Sequence, residues 1–109
     1  MAYDEGLAQR VRERLESRGG YGEKKMFGGL CFLLNGNMTC GIVRDELMAR
    51  VGPEAWNEAL ASPEAREMDF TGRSLKGFVY VDGDALADDA VLEKWVARAV
   101  AFAEALPAK

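Results

Sequence analysis

Asn35-Gly36 stands between two largely apolar runs, LCFLL before it and NMTCGIV after it, and constrains the fold more than any other dipeptide in the chain. A type I′ turn needs positive φ at both central residues, which Asn-Gly accommodates at low steric cost. With these two residues as the loop, Leu34 faces Asn37, Leu33 faces Met38, Phe32 faces Thr39 and Cys31 faces Cys40. A second tight turn at Arg44-Asp45 pairs Val43 with Glu46, Ile42 with Leu47 and Gly41 with Met48. The stretch from Lys24 to Val51 therefore reads as three antiparallel strands.

Side chains alternate across a strand, so this register sorts the residues into two faces. One collects Cys31, Leu33, Met38, Cys40, Ile42, Leu47, Ala49 and Val51, carries no charge, and is the expected core face. The other collects Leu30, Phe32, Leu34, Asn37, Thr39, Gly41, Val43, Glu46, Met48 and Arg50. That mixture is too apolar for a freely solvated surface and too polar for a buried one. It reads as a face covered by another element or by a partner. Cys31 and Cys40 would sit as a non-hydrogen-bonded pair with Cα atoms ~4.5 Å apart, within reach of a disulfide. They form a candidate redox pair, although two small hydrophobes in a core is the plainer reading.

Around this stretch the pattern changes to helical. Asp4 to Ser17 has a capping Asp4, a Leu7-Val11-Leu15 stripe and a Gly19-Gly20 stop. Gly28-Gly29 interrupts a strand pattern and suggests a bulge or a close backbone approach. Gly52-Pro53 opens a second helix with Trp56, Ala59 and Leu60 inward, ended by Ser62-Pro63. Arg66 to Phe70 and Lys76 to Val81 read as two further strands joined by a projecting loop, Thr71 to Leu75. Asp82-Gly83-Asp84 makes a turn. Asp88 or Asp89 caps a last helix to about Leu106, with Leu92, Val96, Ala99, Ala103 and Leu106 in one stripe. The expected class is α+β, a two-layer α/β sandwich with an antiparallel sheet in the order α-β-β-β-α-β-β-α. Its 109 residues suit one domain.

Composition excludes several functions. The chain contains no histidine, so Ser-His-Asp and Cys-His catalysis are out, and two cysteines cannot build an ordinary zinc site. No Gly-rich phosphate motif occurs in a strand-to-helix context. The net charge of −4 argues against direct nucleic-acid binding, which runs on phosphate neutralisation. No apolar run is long enough to span a membrane, and the charged N-terminus lacks the apolar centre of a signal peptide. A cytoplasmic protein without catalytic residues, metal or cofactor is expected.

Against this acidic background Lys24, Lys25, Arg50, Arg66, Arg73 and Lys76 form a basic set on strands and their connections. Arg50 falls on the mixed face beside Phe32 and Met48, a setting that suits an anion or a partner's carboxylates. Arginine and lysine stems covering the sheet would explain the same residues.

At KKMFGGLCFLLNGNMTCGIV, LMARVGPEA and MDFTGRSLKGFVYV the chain resembles the TfoX (Sxy) N-terminal domain family, from about Tyr3 to Leu106. The resemblance implies a two-layer α+β domain, secretion-chaperone-like in outline. Longer members regulate natural competence together with a cyclic-AMP-dependent transcription activator and carry a second, helical C-terminal domain. The expectation here is a single-domain member without that second domain. By position, the resemblance implies a surface of Lys25, Met26, Phe27, Gly28, Gly29, Arg50, Met68, Lys76, Gly77 and Tyr80, and it brings no catalytic residues. Phe32 and Arg73 join these from the reading of the sheet. Two functions follow: a regulatory domain contacting a protein partner or a second copy of itself through the mixed face and the Arg73 loop, or a module that holds a small anion with Lys25, Arg50, Arg73 and Lys76 near Gly28-Gly29.

Overall fold

The computed structural model describes residues 3–26, 28–70 and 73–107; the side chains of residues 26, 68–70 and 73–75 lie outside that description. The elements are α1 (Glu5–Leu15), β1 (Tyr21–Met26), β2 (Gly29–Leu34), β3 (Asn37–Val43), β4 (Glu46–Arg50), α2 (Trp56–Leu60), β5 (Ala65–Phe70), β6 (Arg73–Val81), α3 (Gly83–Leu86) and α4 (Asp89–Glu104). The strands form one antiparallel sheet in the order β1-β2-β3-β4-β6-β5. The fold is α+β, as the sequence predicts. Two elements exceed the expectation, because Tyr21–Met26 is a strand of its own and Gly83–Leu86 makes a short helix instead of a turn.

Both expected turns form. Asn35 and Gly36 take φ of 55° and 80°, as a type I′ loop requires, and Arg44 takes φ of 56° at the second turn. The pairing of β3 with β4 follows the expected register, Val43 with Glu46, Ile42 with Leu47 and Gly41 with Met48. The β2–β3 register does not. It starts as expected with Leu34 opposite Asn37 and Leu33 opposite Met38, then shifts, so that Phe32 faces Cys40, Cys31 faces Gly41 and Leu30 faces Ile42. One extra residue on β3, at Thr39, makes the bulge.

That single insertion exchanges the faces of β2. Leu30, Phe32 and Leu34 point into the main core, together with Cys40, Ile42, Leu47, Ala49, Val79 and Val81. Cys31 instead joins Val43, Met48 and Tyr80 in a separate cluster flanked by Met38 and Phe78. The expected placement of Phe32 on the mixed face is thus corrected: its ring is fully buried in the core. Where alternation continued unbroken, on β4, the expected faces hold, with Leu47 and Ala49 inside and Met48 opposite.

All four helices feed the main core, through Val11, Ala59, Leu86 and a run on α4 that includes Leu92, Trp95, Val96 and Ala99. Asp4 caps α1 by accepting from the Leu7 amide at 3.0 Å, and Asp88 caps α4 by accepting from the Ala90 amide at 2.8 Å. Trp95 is wholly buried, yet its indole N–H reaches the Glu64 carboxylate at 3.0 Å, where Lys94 Nζ also donates at 2.8 Å. The helices therefore cover one face of the sheet, and the second cluster marks the other.

Candidate functional site

The uncovered face is built by alternation from residues of β2, β3, β4 and β6. Its centre is apolar: Cys31, Met48 and Tyr80 are buried there, and Met38 and Phe78 are half-buried beside them. Leu33 and Met38, cross-strand partners of one another, are the half-exposed apolar pair at its β2–β3 end. On one flank the nearly buried Glu46 carboxylate takes Arg66 and, at 3.5 Å, Arg44. The Arg66 guanidinium lies 4.8 Å from the centroid of the Tyr80 ring. Glu46 is therefore a neutralised charge, and the flank presents an ion pair laid over an aromatic.

Arg50 occupies the other flank and is held differently. Its guanidinium lies 5.6 Å from the centroid of Phe78 and 5.2 Å from that of Phe102 on α4. Among the described residues its single hydrogen bond, 3.4 Å long, goes to the Met38 carbonyl. Phe102 also lines a cavity of about 440 Å³, together with Val51, Gly52, Pro53, Glu54, Ala55 and Ala105. Gly52 takes φ of 91°, and a Cβ there would come within 2.4 Å of the Phe102 ring. Only glycine lets α4 approach this closely. Nothing in the sequence pattern pointed to Phe102, because its contact with Arg50 and Gly52 is purely tertiary.

The remaining candidate residues whose side chains are described do not converge on one spot. Lys25 is exposed on β1 opposite Leu30, hence on the helix-covered side, while Arg50 is three strands away at β4. Interstrand spacing alone separates them by roughly 14 Å. Gly28, exposed with φ of 73°, belongs to the β1–β2 connection, in which Met26 pairs with Gly29. Gly29 is a close-approach glycine, since a Cβ there would sit 2.0 Å from the Ile42 carbonyl oxygen. That oxygen leaves no room for a side chain at Gly29. Arg73 opens β6 opposite Phe70, so the expected loop from Thr71 to Leu75 is corrected: residues 73–75 belong to the strand, and Thr71 and Gly72 lie outside the described residues. Gly77 takes φ of 96°, and its carbonyl accepts from both the Val51 and Gly52 amides at 2.8 and 3.0 Å. Lys76 is exposed. Phe27 and the side chains of Met26, Met68 and Arg73 lie outside the described residues.

The cysteines are free thiols on opposite faces of the sheet. The expected Cys31–Cys40 cross-strand pair is corrected by the bulge, which sets Cys31 opposite Gly41. Burial pushes the Cys31 thiol up to about 11 and raises that of Cys40 further, with the neighbouring Cys31 adding to the effect. Both remain protonated at neutral pH and are poor nucleophiles. On the helix side, the Glu23 carboxylate is held below its usual range by a fork from Arg12 at 2.5 and 3.1 Å and by the Tyr21 hydroxyl. Burial and that same carboxylate raise the Tyr21 phenol.

A family model for the TfoX N-terminal domain matches residues 13–103. The chain belongs to the TfoX N-terminal domain family. The matched span runs from within α1 to the penultimate residue of α4 and holds the whole sheet, so Arg50, Gly52, Phe102 and the uncovered face all lie within the TfoX-type domain. Neither the curated proteins nor the solved structures contain a match to this chain.

Proposed function

We propose that this TfoX-type domain is a non-catalytic regulatory module that works in the cytoplasm by protein–protein contact, through the face of its sheet that carries no helix. Transcription regulation is the setting its family suggests. One observation carries the reading: the half-exposed Leu33–Met38 pair on that face, next to an already apolar centre and bounded by the Glu46–Arg66 ion pair. An apolar centre with a charged rim is the arrangement of protein interfaces. Protonated thiols, the absence of histidine and a net charge of −4 favour contact with protein over catalysis or nucleic-acid binding. The placement of Lys25 and Arg50 three strands apart weighs against a shared anion cradle.

The partner in the simplest form is a second copy of the chain. Light scattering over a concentration series, for the wild type and for Leu33→Glu with Met38→Glu, tests it. A dimer that the paired substitution splits is the expected result. A dimer that survives it overturns the assignment of the face, and a wild-type monomer at every concentration leaves only contact with a different protein.

A further inference from the structure

Arginines in this molecule are almost all matched to carboxylates. Among the described side chains, Arg10, Arg12, Arg14, Arg18, Arg44, Arg66 and Arg98 each lie within 4.0 Å of an Asp or Glu oxygen. Arg50 alone among them has no such partner, although it is partly buried and so gives up hydration that a fully exposed arginine keeps. A guanidinium has five N–H donors. Here one long bond to a carbonyl uses one of them, and the two aromatic rings beside the guanidinium offer no oxygen acceptor for the rest. Among the described residues the cation is left without a counter-ion.

Phe102 links this cation to the cavity, because its ring both carries Arg50 and lines the apolar walls with Val51, Pro53, Ala55 and Ala105. A volume of about 440 Å³ falls within the ordinary range for small-molecule sites. We propose that Arg50 and this cavity form a binding site for a small apolar monocarboxylate, an acyl or aryl acid whose carboxylate meets the Arg50 edge while its body lies against Phe102 and Pro53. The fork of a guanidinium matches a carboxylate in two parallel bonds. A single cation balances a single negative charge. A phosphate dianion would leave charge uncompensated beside apolar walls and close to Glu54, which lines the same cavity. The proposal concerns a site other than the Leu33–Met38 pair and stands or falls independently of the protein-contact reading.

The test is isothermal titration with octanoate and phenylacetate, with octanol, benzyl alcohol and inorganic phosphate as controls, on the wild-type protein, Arg50→Met, Arg50→Lys and Glu54→Gln. Amide NMR shifts in the octanoate titration should gather at Val51, Gly52 and residues near Phe102. Saturable binding of at least one carboxylate, weakened roughly tenfold or more by Arg50→Met, is the expected result. Arg50→Lys should retain part of the affinity, and Glu54→Gln should raise it. Arg50→Met keeps an apolar stem over Phe102, and its unchanged NMR fingerprint elsewhere certifies the fold. Equal binding of octanol and octanoate, carboxylate binding that ignores Arg50→Met, preference for phosphate, or no saturation by millimolar acid would each overturn the proposal.

Discussion

The two faces of the sheet bury similar residues by different means. On the helix side, Phe32, Ile42, Leu47 and Val79 are sealed by a second layer, chiefly α4. On the other side Met48 and Tyr80 are buried in a cluster whose described members all lie on strands, with the Arg66 guanidinium over the Tyr80 ring. The first arrangement depends on rigid shapes fitted between layers. The second relies on long, adaptable side chains lying against one another. Stability should therefore reside on one face and adaptability on the other.

Neighbours on β2 give the strongest way to break this comparison. Phe32→Ala should destabilise by about 3–5 kcal/mol in denaturant unfolding, whereas Leu33→Ala, one residue on and half-exposed, should cost about 1 kcal/mol. An unbroken register would reverse that order, so equal or inverted costs would remove the bulge at Thr39. The cysteines sharpen the same contrast at a smaller scale. Cys40→Ser places a hydroxyl in the fully buried core and should cost about 1–3 kcal/mol, with Cys31→Ser costing less. Under native conditions Cys31 should react with a thiol reagent before Cys40, and mild oxidation should yield no intramolecular disulfide.

The smallest effect concerns the rim on the helix side. The Glu23 carboxylate is depressed in the folded state by Arg12, so its stabilisation is present above the ordinary carboxylate range and is lost as pH falls through the folded value. Glu23→Gln should flatten the acid limb of the stability profile and lower stability near neutrality by at most ~1 kcal/mol, as for other solvent-accessible pairs. A profile steeper than that of the wild type would show that Glu23 does not titrate as this contact requires.

The candidate site was legible in part. Arg50 stood out because an arginine among apolar strand residues is unusual, and in the structure its guanidinium lies between Phe78 of β6 and Phe102 of α4. The basic set did not assemble, because strand membership says nothing of which strands become neighbours. Lys25 and Arg50 are three strands apart, and Arg66 is bound to Glu46. Phe102 and Gly52 were missed for a related reason. Phe102 falls outside the four-residue stripe of the last helix, and Gly52 looked like the start of a helix.

Local chemistry determined what local chemistry controls. Asn-Gly set one hairpin, Arg44-Asp45 marked the next, Asp4 and Asp88 capped their helices, and the four-residue stripes named the buried sides of α1 and α4. These features depend on φ preferences, side-chain reach and periodicity within a few residues. The tertiary structure alone decided the bulge, and with it which face of β2 became core. Alternation is a relative rule, and one extra residue inverts it without altering any local preference. Packing three large side chains, Leu30, Phe32 and Leu34, into the core beneath the helices favours the bulged register. The alternative would have offered that core only Cys31 and Leu33.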